Sequence, residues 1–268
     1  KKQETRNKKQ ETRNKKQETR DKRRGIGGMV DLKQQLVVVT GASSGSGLAM
    51  TEYLLEAGYR VLGVARDFSD SPIDNERFDF IEMDLADLDG LPGALKTLIG
   101  NIDLPVRALV NNAGLGKMGY LEQLSVDDIR LVMDTNFMSH AIVTKSFLPL
   151  LKRQGELVDI IFTGSEAALK GSSQGSVYCA SKFAIRGFAQ ALREECAKSS
   201  VRITLINPGA VRTPFFDDLH FEPGAAEENA IQPSDIGQLL MTVLNTRPGT
   251  VIDEINLSPQ THVWQRKP

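Results

Sequence analysis

The run Leu36-Val37-Val38-Val39-Thr40 passes without a break into Gly41-Ala42-Ser43-Ser44-Gly45-Ser46-Gly47, and then into the helical pattern that ends near Ala57. Few junctions constrain a fold as strongly. Consecutive apolar β-formers predict a strand covered on both faces, which places it inside a parallel sheet. The glycines allow a turn tight enough to aim backbone N–H groups and the positive end of the next helix at a diphosphate. Gly41, Ser43, Ser44, Gly45, Ser46 and Gly47 are therefore the expected dinucleotide cradle. The spacing G-x-x-x-G-x-G differs from G-x-G-x-x-G, and a purely structural strand-to-helix turn is the plain alternative. No G-x-x-x-x-G-K-[ST] occurs, so a triphosphate P-loop of that kind is excluded.

The alternation continues. Arg60 to Val64, Phe78 to Met83, Ala108 to Val110, Leu157 to Phe162, Ile203 to Ile206 and Val251 to Ile255 read as further strands. Helical patterns cover Gly47 to Ala57, Leu88 to Ile99, Ser125 to Leu151, Ser176 to Ser199 and Pro233 to Leu244. In one of them Ile185, Phe188, Leu192 and Cys196 make a single apolar stripe. This predicts an α/β, doubly wound domain with a parallel seven-stranded sheet and helices on both faces. No Pro-, Gly- or Ser-rich linker divides residues 29–268, so one domain is expected there.

The formal net charge of −1 averages two unlike segments. Residues 1–28 hold 12 Lys and Arg against 4 Asp and Glu, leaving 21 against 30 in the remainder. The basic segment repeats KKQETRN with a period of seven but offers no apolar residue at any heptad position, which excludes a coiled coil and predicts disorder or a fraying, solvated helix. It lacks the aromatic residues that stack on bases and the apolar face that enters a bilayer, so neither nucleic acid nor membrane is the expected partner. Met29 is the expected start of the functional unit. No run of about 18 apolar residues and no secretory signal pattern is present, and Cys179 and Cys196 match neither a redox pair nor a zinc site. A cytoplasmic protein without a metal is the expectation. His140, His220 and His262 likewise lack ligand spacing and are expected on the surface.

The second strand bears on the choice of dinucleotide. An acidic residue at its end would bond the adenosine ribose diol, whereas here Val64-Ala65 is followed by Arg66, a cation suited to the 2′-phosphate of NADP. NADP(H) is thus expected over NAD(H), although Asp67 can pair with Arg66 or accept a ribose hydroxyl. After the third strand, Asp84 and Leu85 are placed to approach the adenine; the alternative is that Asp84 only caps the next helix.

Tyr178 and Lys182 lie four apart in YCASK, early in a long helix, so both project from one face. An ammonium beside a phenol stabilises phenolate, which would lower the Tyr178 pKa from near 10 and make it a usable general acid/base. Ser165, at the end of a strand, can donate a hydrogen bond to an oxygen on which negative charge develops.

With these motifs together, the chain from about Lys33 to its end resembles the short-chain dehydrogenase/reductase family. TGASSGSG resembles its cofactor motif, Asn111-Asn112-Ala113-Gly114 its NNAG motif, Tyr178 to Lys182 its YxxxK, and Pro208-Gly209-Ala210-Val211-Arg212-Thr213 its PGxVxT. The resemblance implies a Rossmann-type fold and hydride transfer between nicotinamide and a carbonyl or alcohol carbon. It implies that Tyr178 transfers the proton, Ser165 orients the reacting oxygen, Lys182 binds the nicotinamide ribose and tunes Tyr178, and Asn136 supports a proton relay. Asn112, Ala113, Gly114, Pro208, Gly209, Val211 and Thr213 join the cofactor contacts by the same resemblance. Thr163-Gly164-Ser165 departs from the commoner Ser-Ser pair and leaves Ser165 as the one serine in register. The loop from Pro214 to about Pro233, with Phe215, Phe216, Leu219 and Phe221, is expected to close over an apolar small-molecule substrate. A homodimer or homotetramer through the helices Ser125–Leu151 and Ser176–Ser199 is implied as well. Two rivals stay open: a catalytically silent NADP-binding regulator on the same fold, and a scaffold recruited to nucleic acid by the basic segment.

Overall fold

Every residue of Leu36–Thr40 (β1) is buried, as its unbroken apolar run requires, and strands pair with it on both sides. The computed structural model describes residues 32–267; the basic repeat and Met29 lie outside the described residues. Six further strands, Arg60–Ala65 (β2), Phe78–Glu82 (β3), Val106–Asn111 (β4), Val158–Thr163 (β5), Val201–Pro208 (β6) and Glu254–Leu257 (β8), complete a seven-stranded sheet. Its order is β3-β2-β1-β4-β5-β6-β8, with every pairing parallel. The chain steps outward from β1 to β3, then returns to add β4 on the other side of β1. That reversal opens a crevice beyond the carboxyl ends of β1 and β4, where sheets of this kind bind ligands.

Among the described residues six α-helices connect the strands: Gly45–Glu56 (α1), Leu91–Gly100 (α2), Val126–Met133 (α3), Ser139–Gln154 (α4), Ser176–Cys196 (α5) and Pro233–Leu244 (α6). Strand residues such as Leu36, Val38 and Leu109 join Leu95 of α2, Phe147 of α4 and Ile185 of α5 in one core cluster. The alternating residues Val37 and Val39 are equally buried, and α1 and α6 pack together over that second face. Of the α5 stripe, Ile185, Leu192 and Cys196 are buried and Phe188 is half-buried against the same core.

Some boundaries differ. The helix expected over Ser125–Leu151 is α3 and α4 joined by a π-helical turn, Asp134–Met138. The expected strand Val251–Ile255 starts at Glu254, where Asn207 Nδ2 donates to Glu254 Oε1 at 2.8 Å and to Asn256 Oδ1 at 2.9 Å. Helix α2 begins at Leu91 rather than Leu88, because the Asp87 carboxylate holds the preceding turn through the Gly90 N–H. A separate two-stranded antiparallel ribbon, Phe221–Pro223 (β7) with Trp264–Arg266 (β9), has no counterpart in the sequence reading.

At the amino ends of the central strands lies a buried ionic cluster. Asp159 of β5, 1% exposed, accepts from Arg202 Nε at 2.6 Å and Nη2 at 2.7 Å, and also from Arg107 Nη1. The same guanidinium groups donate to Leu244 O and Thr246 O at the end of α6. Carbonyls left over by a helix end thus meet cations whose charge Asp159 balances.

Candidate active site

The crevice is a cavity of about 870 Å³. One wall is the β1–α1 turn. Gly41 and Gly45 have φ of +67° and +55°, and a Cβ at Gly47 would lie 1.9 Å from Gly41 O. Only glycines close this turn. Ser44 sits at the helix start in extended conformation without a side-chain cap, so the first-turn N–H groups of α1 receive no bond from it. Ser44, Gly45 and Ser46 face the cavity, and Gly41, Ser43 and Gly47 shape the turn behind them. Uncapped donors at the positive end of a helix, in a cradle that a Cβ would fill, fit a dinucleotide diphosphate.

The facing wall is residues 112–116, clamped from several elements. Thr40 Oγ1 accepts the N–H groups of Asn112 at 2.9 Å and Ala113 at 3.1 Å. Asn112 Nδ2 donates to Thr40 O at 3.1 Å. The fully buried Asn136 takes Leu115 N–H on its Oδ1 at 2.9 Å and returns a bond from Nδ2 to Leu115 O at 3.0 Å. The π turn supplies this geometry, since its extra residue turns the Asn136 side chain in towards the loop. At Gly114 a Cβ would stand 3.3 Å from Asn136 Oδ1 and 3.7 Å from Lys182 Nζ, so the loop, the amide and the ammonium share one small space.

Ser165 follows β5, while Tyr178 and Lys182 lie in the first two turns of α5, and all three line the cavity. Each is at most 9% exposed. Lys182 Nζ donates to Thr163 O at 3.1 Å and lies 5.8 Å from the Tyr178 ring centroid. Burial brings the Lys182 pKa down to about 8. It pushes Tyr178 up to about 12, against the smaller opposing pull of the Ser165 hydroxyl. The direction is opposite to the expectation from the sequence: burial is the leading cause, and Lys182 donates to the Thr163 carbonyl rather than to the phenol. Tyr178 is thereby held as a phenol, the form that can give a proton.

Pro208, Gly209, Val211 and Thr213 border the same cavity from the end of β6. Arg66 and Asp84 stand exposed just past β2 and β3, and neither they nor Leu85 line the cavity. Asp84 Oδ1 accepts Ala86 N–H at 2.9 Å, so that oxygen serves its own turn, and Leu85 beside it is buried. Asp67 Oδ1 likewise accepts Ser69 N–H at 2.7 Å, and this bond, chiefly, lowers its pKa. His140 is not a surface residue: it is 1% exposed, bonded through Nε2 to Ala113 O at 2.7 Å, with its pKa driven to about 3 mainly by burial. Its place one helical turn after Asn136 was the available signal, hidden because a lone helical histidine reads as solvated.

A model of the family described as short chain dehydrogenase matches residues 35–222. The chain belongs to that family. A sepiapterin reductase of Chlorobaculum tepidum is 35% identical over 176 residues, 66% of this chain and 69% of that protein. An NADP-dependent 3-hydroxy acid dehydrogenase of Schizosaccharomyces pombe is 28% identical over 265 residues, 89% of this chain and all of that one. Among solved structures, an alcohol dehydrogenase from the archaeon Thermococcus sibiricus complexed with 5-hydroxy-NADP superposes with a TM-score of 0.72 at 25% identity, covering 83% of this chain and 95% of that chain.

The outer part of this short-chain dehydrogenase's cavity is aromatic. Phe215 packs on the Tyr178 ring at 5.8 Å between centroids and contacts Phe216 at 5.2 Å. Trp264 of β9 meets Phe216 and Phe221 and, with Gln265 and Arg266, reaches the cavity. These β9 residues went unnoticed in the sequence, where nothing but the presence of the single tryptophan marks them.

Proposed function

We propose that this short-chain dehydrogenase is an NADP(H)-dependent oxidoreductase acting on a carbonyl or the matching secondary alcohol. The observation that carries the reading is the burial of Ser165, Tyr178 and Lys182 in the cavity whose other wall is the glycine cradle. The relative named as NADP-dependent and the solved structure complexed with 5-hydroxy-NADP support the cofactor, as does Arg66 past β2. When bound, the cofactor supplies or accepts the hydride.

The remaining chemistry falls to the chain. The Ser165 hydroxyl donates to the substrate oxygen and orients it. Tyr178, kept protonated by burial, gives its proton to that oxygen during reduction and recovers it in oxidation. Lys182 and Asn136, brought together at Gly114, hold the proton path behind Tyr178 and the ribose side of the cofactor site. The aromatic segment 214–233, with β9, forms the apolar lid that excludes water from the reacting atoms. Self-association through α3, α4 with the π turn between them, and α5 belongs to the same proposal, supported by exposed Met138 of the π turn and Phe183 of α5 at 37% and 45%.

Screening ketones, aldehydes and hydroxy acids by NADPH oxidation or NADP reduction, with the NAD forms in parallel, tests the reading. A responsive substrate should lose about 10²–10⁴ in rate in Tyr178→Phe while cofactor affinity stays the same. Cofactor binding with no turnover on any carbonyl would instead make the chain a binding regulator.

A further inference from the structure

His140, 1% exposed, is a buried titratable side chain that the proposed chemistry leaves unused. It is the second residue of α4 and lies one turn beyond Asn136. Both point at the same loop, Asn136 at Leu115 and His140 at Ala113. Since Ala113 O can only accept, the 2.7 Å contact places the imidazole proton on Nε2 and leaves Nδ1 as an acceptor. Nδ1 is buried and has no partner among the described residues. A leucine in that position would avoid this unsatisfied acceptor, so what the histidine contributes lies in its Nε2–H bond.

The bond acts on a rigid unit. Ala113 O and Gly114 N–H belong to one planar peptide, so fixing the oxygen fixes the direction of the N–H. Gly114 lines the cavity beside Lys182, and as a glycine it has no side chain to restrain its backbone. The Ala113–Gly114 peptide therefore gains its orientation from outside, through Thr40 on one flank and His140 on the other.

We propose that His140 is a positioning residue that presets the Ala113–Gly114 peptide for the cofactor, so that the wall of the dinucleotide site is organised before binding. This rests on the NADP(H) reading. Three measurements on the full chain test it: NADPH affinity by fluorescence, amide exchange of residues 112–116 without cofactor, and melting temperature. His140→Leu should weaken NADPH binding at least threefold, towards tenfold, the worth of one hydrogen bond. It should speed exchange at Gly114 while the melting temperature holds or rises. His140→Gln, whose amide can donate to the same carbonyl, should bind within threefold of wild type. Unchanged Gly114 exchange, NADPH binding by His140→Leu within threefold of wild type, or a glutamine variant as weak as the leucine variant overturns the proposal. If His140→Leu does not fold, His140→Met against His140→Gln gives the same comparison. Wild-type protein that fails to bind NADPH at all overturns the cofactor reading itself, and with it this inference. Gly114 exchange, read without cofactor, separates the two failures.

Discussion

Lys182→Met should make the protein more stable while disabling it. In the folded chain Lys182 has its pKa lowered by burial from 10.5 to about 8, which corresponds to roughly 3 kcal/mol of stability withheld at neutral pH. Methionine fills a similar volume without that charge, but it leaves Thr163 O without the donor now 3.1 Å away, costing about 1 kcal/mol. The net gain is about 2 kcal/mol, or roughly 4–8 °C in Tm for a domain of this size. Its pH dependence has a definite sign. Between about 8 and 10.5 the unfolded chain holds the lysine proton and the folded one does not, so wild-type stability rises with pH there and the gap to the variant closes. Urea titrations of cofactor-free protein at pH 7 and pH 10 measure both points. A variant less stable than wild type at pH 7, or a gap that is the same at both pH values, would refute the reasoning.

Asp159→Asn should destabilise by about 3–5 kcal/mol in urea titrations, because it leaves Arg107 and Arg202 buried without their counter-charge. Arg66→Ala should reduce the preference for NADPH over NADH in kcat/KM without changing the melting temperature, since the side chain is exposed. Phe215→Ala removes the ring that rests on Tyr178 and should raise KM for carbonyl substrates about tenfold, by loss of apolar contact, with NADPH affinity unchanged. Alcohol oxidation should accelerate from pH 7 towards pH 10 while carbonyl reduction stays nearly flat, because oxidation starts from the Tyr178 phenolate, whose fraction grows with pH below a pKa of about 12, whereas reduction starts from the phenol.

The sheet and its cradle were legible because they follow from local signals: unbroken apolar runs for strands buried on both faces, and glycines where a turn needs positive φ. Ser165, Tyr178 and Lys182 could be singled out for the same reason, being anchored to element ends that periodicity locates. What escaped depends on neighbours distant in sequence. The π turn that aims Asn136 shows no break in the pattern from Ser125 to Leu151, and the burial of His140 needs Ala113, 27 residues away, as its acceptor. The Tyr178 pKa turned on how much water the fold removes, a quantity absent from the spacing of Tyr178 and Lys182. Asp159, Arg107 and Arg202 look like solvent-facing charges until their strands stand side by side.

The ribbon of β7 and β9 pairs with no other strand of the described chain. Two strands alone are marginal in water, so this ribbon depends on the stack of Phe216, Phe221 and Trp264 and on the bond from Lys267 Nζ to Phe216 O. Opening the ribbon therefore breaks no backbone pairing of the seven-stranded sheet. The proposed function makes substrate admission a property of this small aromatic clasp, adjustable by single residues near position 264 apart from the sheet that holds Ser165 and the glycine cradle.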